Sequence, residues 1–345
     1  MTATTGMNTA DAKAAAGTAA SGEGGGKAAT GKDGAGKEVV TLRHGIVANR
    51  VGGVGKTTTT MLLADALRGA EVFAKAKPAV RGKPAVQQFE EQLRAVAVPS
   101  VSLLDVDVQP GGDRNGSNLA RRFDKVMPFE LAPTASDLAQ DPTLAYSHFD
   151  NLGATLLQRR CLVDFGANVI DPFLEWAAMG EVGIDWARRG IGIDFLVPTT
   201  ADDRALTATA DAIEAMRKLC APHGVDLRCF VVLNWRDGPF TKYEHSEHWR
   251  KVLALGETTA SKTIHVKKCT SELWQLMDQA RLTPVKLLAM TEDEIAETWP
   301  TLSTVAMRRG YNQMLAWYRE VVDEMIDSGL LRGGVPRIPE RDAAG

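Results

Sequence analysis

The sequence predicts an α/β fold, a mainly parallel sheet with helices on both faces. Three observations predict it. Short apolar runs alternate with longer stretches of helical period, the pattern of strands linked through helices. The runs are apolar nearly throughout, as in strands buried on both faces. Several end in or are followed by a glycine-rich turn, an aspartate or an asparagine, the residue types that bind ligands at the carboxyl edge of an open α/β sheet.

The first 37 of 345 residues are almost entirely Ala, Gly, Thr, Ser, Lys, Asp and Glu, with Gly24-Gly25-Gly26 among them. Such a stretch buries too little apolar surface to offset its ordering entropy, so residues 1–38 are expected to be a disordered tail. Lys13, Lys27, Lys32 and Lys37 are balanced by Asp11, Glu23, Asp33 and Glu38, which favours a solvated tail over a nucleic-acid-binding arm.

Gly45–Asn49 reads as the first strand, and Thr58–Leu67 as the first helix, with Met61, Leu62, Leu63, Ala66 and Leu67 as its apolar positions. Between them lies Arg50-Val51-Gly52-Gly53-Val54-Gly55-Lys56-Thr57. Strand, glycine-rich turn, Lys-Thr and helix form the context of a phosphate-binding loop. Glycines let successive backbone N–H groups turn onto phosphate oxygens, and the helix start adds free N–H groups and a positive dipole. Gly52, Gly53, Val54, Gly55, Lys56, Thr57 and Thr58 are therefore the candidate nucleotide-binding residues. Lys56 would reach the β- and γ-phosphates, and the Thr57 hydroxyl would ligate Mg²⁺. Arg50 stands where the usual loop has its first glycine.

Glu71–Val98 is basic and broken by prolines, and reads as a surface loop with a short helix over Gln87–Val96. Lys75, Lys77, Arg81 and Lys83 make it a possible contact for a phosphate backbone. Val101–Gln109 is the next strand and ends in Asp105-Val-Asp107; Arg159–Asn168 is another and carries Asp164. Apolar residues followed by an aspartate match the second acidic motif of phosphate-loop nucleoside triphosphatases, which would place Asp164 at Mg²⁺ through a water. Val169–Arg188 reads as helical core. Ile193–Thr200 is a strand, followed by a helix to Cys220, and Leu227–Asn234 is a strand ending in Asn234. His245-Ser-Glu-His248 has a metal-compatible spacing without evident further ligands, so an exposed helix face is expected. Thr263–Val266 is a short strand, Ser271 a helix N-cap, and helices continue to about Ser328 before a frayed tail over 330–345.

The formal net charge of −3 gives no global attraction to nucleic acid, and 6% aromatic residues advertise no base-stacking platform. Cys161, Cys220, Cys229 and Cys269 form no Cys-x-x-Cys pair, which suits reduced thiols in a cytoplasmic protein. No apolar run reaches the roughly 18–20 residues of a membrane span, and no secretion signal is evident.

Gly-Gly-Val-Gly-Lys-Thr-Thr, followed by Asp-Val-Asp-Val-Gln and Val-Asp-Phe-Gly, resembles the deviant phosphate loop and acidic motifs of the ParA/MinD family of ATPases. The likeness runs from about Gly45 to Trp274. It divides the chain into an ATPase domain over 39–280, with an insertion at about 71–98, and a helical extension over 281–329. It implies an ATP- and Mg²⁺-dependent switch. Such a switch forms a homodimer around nucleotide, is stimulated by a partner protein, and in some members binds non-specific DNA. Its roles lie in plasmid or DNA partition, positioning or conjugative transfer. By the same resemblance Asp107 orients the attacking water and contributes at the metal, and Asn234 contacts adenine. The family's signature lysine falls at Val51, so Arg50 is the candidate to supply its charge. Two other readings follow from the same fold: a nucleotide-gated DNA- or protein-binding module with little hydrolysis, and a reductase like the nitrogenase iron protein, which needs cysteines at the subunit face.

Overall fold

The computed structural model describes residues 42–98, 101–108, 119–130, 144–256 and 261–331; the terminal tails expected from the sequence lie outside them, except that Leu330 and Leu331, expected to begin the frayed tail, are buried in the core instead. Seven strands form one sheet: β1 (Leu42–Val47), β2 (Ser102–Val108), β3 (Val126–Glu130), β4 (Cys161–Phe165), β5 (Ile191–Thr199), β6 (Asp226–Asn234) and β7 (Ser261–Val266). All six pairings are parallel, in the order β3-β2-β4-β1-β5-β6-β7. The expected class is therefore the observed one. β1 lies centrally between β4 and β5, so the turn that follows it opens at the middle of the carboxyl edge.

β5 is buried at all nine positions, as a central parallel strand covered on both faces must be. It tolerates Pro198 because in a parallel strand a residue's N–H and C=O face the same neighbour. The Pro198 carbonyl accepts from the Asn49 side chain, just past the end of β1, so its missing N–H costs no ladder bond.

One face of the sheet is covered by α1 (Lys56–Ala74), α3 (Pro84–Val96, after the single turn α2 over Pro78–Arg81), α9 (Glu272–Gln279), α10 (Pro284–Leu288), α11 (Glu292–Thr298) and α12 (Thr304–Asp327). The other is covered by α4 (Leu144–Leu156), α5 (Ile170–Met179), α6 (Val182–Arg188), α7 (Asp203–Cys220) and α8 (Glu247–Gly256).

The segment read as a surface loop after the first helix is instead part of the core. α1 runs on to Ala74, and Val80, Val86, Phe89, Leu93 and Val96 are all buried. Phe89 meets Phe73 and Tyr318 edge-on, and Leu93 lies over Gly69, where a β-carbon would overlap it. The apolar residues fall at helical spacing, which the prolines and lysines around them obscured. The lysines and arginine of this segment are largely matched within the fold: Lys77 pairs with Glu294, Arg81 with Glu90, and Lys83 with Glu292. The C-terminal helices share the core of α1. Tyr318 Oη donates to the Leu62 carbonyl at 3.0 Å, and Tyr311 Oη donates to the Leu288 carbonyl at 2.7 Å.

Candidate functional site

The turn after β1 is shaped by its glycines. Gly53 (φ 76°) and Gly55 (φ 98°) both lie in the left-handed region that side chains resist. Gly55 is the N-cap of α1 and offers no side chain to satisfy the helix's first N–H groups, and the first turn holds no acid. The helix start is thus left open to an anion.

Both limbs of the loop are held by asparagines. On the entering limb, buried Asn49 accepts from the Val51 N–H at 2.9 Å, and its amide donates to the Pro198 carbonyl (2.8 Å) and Thr209 Oγ1 (2.9 Å). On the leaving limb, Asn234 Nδ2 donates to the Val54 carbonyl at 3.1 Å. Across the mouth, Lys56 Nζ donates to the Val51 carbonyl at 2.9 Å. Gly52 and Gly53 are exposed, while Thr57 and Thr58 are half-buried.

Behind the loop, β2 and β4 bring Asp105 and Asp164 into register as direct neighbours. Both are buried, at 4% and 2% exposure. Thr60 Oγ1, on α1, lies 3.0 Å from Asp164 Oδ1 and 3.1 Å from the Lys56 carbonyl. Asp164 therefore faces the first turns of α1. Asp107 stands in β2, and its side chain lies outside the described residues. From sequence, Asp105 reads as a strand-end carboxylate without a role of its own, and Asn49 only as the end of the first strand. Asp105 is legible as the other acid of Asp-x-Asp; the role of Asn49 depends on tertiary partners.

Arg50 points away from its own loop. Its guanidinium lies 2.7 Å from Asp171 on α5 and 3.7 Å from Asp211 on α7. His248 lies beside the Thr207 hydroxyl, and among the described residues no three His, Cys, Asp or Glu side chains converge as a metal-ligand set. Three of the four cysteines are buried. Cys161 begins β4, at the edge opposite the loop, and burial pushes its thiol up to about 12.

No family model matches the chain, and no curated protein matches it. Among solved structures it is similar to an ATP complex of a Cyanothece McdA variant, at 14% identity and a TM-score of 0.33, over 79% of this chain and 96% of that one. No described helix is long and apolar enough to cross a membrane.

Proposed function

We propose that this chain is an ATP-binding switch of the ParA/MinD type that hydrolyses ATP with Mg²⁺. The observation that carries the reading is the open, left-handed loop over Gly53–Gly55, with Lys56 at its mouth and the Asp105–Asp164 pair behind it. Phosphoryl transfer asks a protein chiefly for positioning and charge neutralisation. The loop amides and Lys56 bind and orient the phosphates. The Thr57 hydroxyl and, through water, Asp164 would hold Mg²⁺; hydroxyl, carboxylate, phosphate and water oxygens are the donors this cation takes. When bound, Mg²⁺ supplies neutralisation of the phosphate charge. Asp107 orients the attacking water. A homodimer around the nucleotide, a stimulating partner protein, contact with non-specific DNA, and a role in partition, positioning or transfer of DNA all belong to this proposal.

ATP turnover measured with and without DNA, beside a Lys56→Ala control, tests it. Turnover should fall at least about a hundredfold in the control. Wild-type protein that binds no Mg-nucleotide overturns the reading.

One observation favours a second reading, a nucleotide-gated module with little hydrolysis. Val51 cannot supply a cationic side chain, and Arg50 is committed to Asp171 and Asp211. If Arg50 leaves those carboxylates to reach a partner's phosphates, Arg50→Ala lowers turnover and dimerisation together. If both are unaltered, Arg50 has no such role.

A further inference from the structure

The family resemblance assigns Asn234 to the adenine, yet in this structure its amide is spent on the loop. Nδ2 donates to the Val54 carbonyl at 3.1 Å, and Oδ1 accepts from the Arg236 N–H at 3.1 Å. The assignment of the two ends follows from chemistry, since a backbone carbonyl only accepts and an N–H only donates. The neighbour across this contact is Gly55, where a β-carbon would overlap Asn234 Nδ2. The glycine is thus needed twice, for its φ of 98° and for the space the amide fills. Val54 is itself 2% exposed and pinned between Gly53 and Gly55, so a bond to its carbonyl fixes the peptide unit that aims the Gly55 N–H. Asn49 holds the Val51 N–H on the opposite limb. Between these two anchors the loop has little freedom to collapse.

We propose that Asn234 is a positioning residue that keeps the phosphate loop in its anion-binding shape, and not a reader of the base. The inference rests on the nucleotide-binding reading above. A base-reading amide acts on ATP alone. A loop-holding amide acts equally on any ligand that carries the triphosphate.

Asn234→Ala is compared with wild type in binding Mg-ATP, Mg-GTP and Mg-tripolyphosphate, the last having no base. The expected result is a loss of about tenfold for all three, as for one hydrogen bond removed from a partly buried group, with the ATP-to-GTP ratio unchanged. Weakened ATP binding with unchanged tripolyphosphate binding overturns the proposal, as does unchanged binding of all three. Amide hydrogen exchange over residues 50–58 of the ligand-free protein gives an independent readout. Exchange at least several-fold faster in the variant supports the role, and unchanged exchange overturns it, even if wild type binds no triphosphate. That last outcome would sink the nucleotide reading alone. Should the alanine variant fold poorly, Asn234→Ser keeps an acceptor near the Arg236 N–H while falling an atom short of Val54, and the same outcomes apply.

Discussion

The two faces of the sheet are built differently. The face that carries α1 is fastened by buried polar contacts between elements far apart in the chain. Asp65, on α1, accepts from Thr283 Oγ1 at 2.6 Å and from the Val285 N–H at 2.7 Å, and Ser271 Oγ donates to the Gly310 carbonyl at 2.7 Å. The opposite face carries the larger ring cluster, Phe165, Phe173, Phe149, Trp176 and Trp186, beside the buried Asn49–Thr209 bond, while the α1 face adds the smaller ring set of Phe73, Phe89 and Tyr318. Directional bonds add a specific axial register to the restraint that close packing already supplies. The face needing that precision is the one where Lys56, Thr60, Asp105 and Asp164 meet.

The largest expected effect breaks the ring face. Trp186 is fully buried, and Trp186→Ala should cost about 3–5 kcal/mol in denaturant unfolding, while nucleotide affinity of the protein that remains folded is kept.

The faces should also respond oppositely to pH. Burial pushes Asp65 up to about 7, against an ordinary value of 3.8. The folded state therefore binds the extra proton, and stability from this group is lost as pH rises from about 4 to about 7. His44, whose side chain lies on the ring face, is held down to about 4 by burial, from 6.5. Its contribution is present above 6.5 and is lost as pH falls towards 4. The differences are worth on the order of 4 kcal/mol for Asp65 and 3 kcal/mol for His44. Relative to wild type, Asp65→Asn should gain stability as pH rises over this window, and His44→Gln should gain it as pH falls. Parallel curves for all three proteins would remove the contrast.

Tyr318→Phe deletes one fastening of the α1 face, the bond to the Leu62 carbonyl, and should cost about 1 kcal/mol. Arg94→Ala should be the mildest. Arg94 is exposed, its partner Glu90 is still reached by Arg81, and the change should stay within about 0.5 kcal/mol and shrink further in salt.

Much of this was legible in the sequence, for stated reasons. The glycine-rich turn, Lys56 and Asp164 are local signals, since a left-handed turn and a strand-end acid depend on neighbours in the chain. β5 and β6 are nearly uniform apolar runs, and both lie within two residues of where their sequence places them. β3 is hard to read from sequence because Val126-Met-Pro-Phe-Glu130 is short and carries a proline, which an edge strand tolerates. Helix α4 is equally faint, its apolar residues diluted among polar ones. The reach of α1 to Ala74 was hidden because its second half is stabilised by α3 and α10 and not by its own propensity. Asn49 and Asn234 each look like turn residues in isolation. Their partners, Thr209 and Val54, lie 160 and 180 positions away.

Arg228, near the start of β6, donates to the carbonyl of Gly329 just past the final helix, at 2.9 Å. Asn234, at the far end of that same strand, touches the glycine-rich loop. Six residues of extended chain separate them, about 20 Å. A fluorophore carried at exposed Asp327, two residues before Gly329, therefore sits towards the edge of the sheet away from the glycines, where it can watch ligand binding without standing in the way.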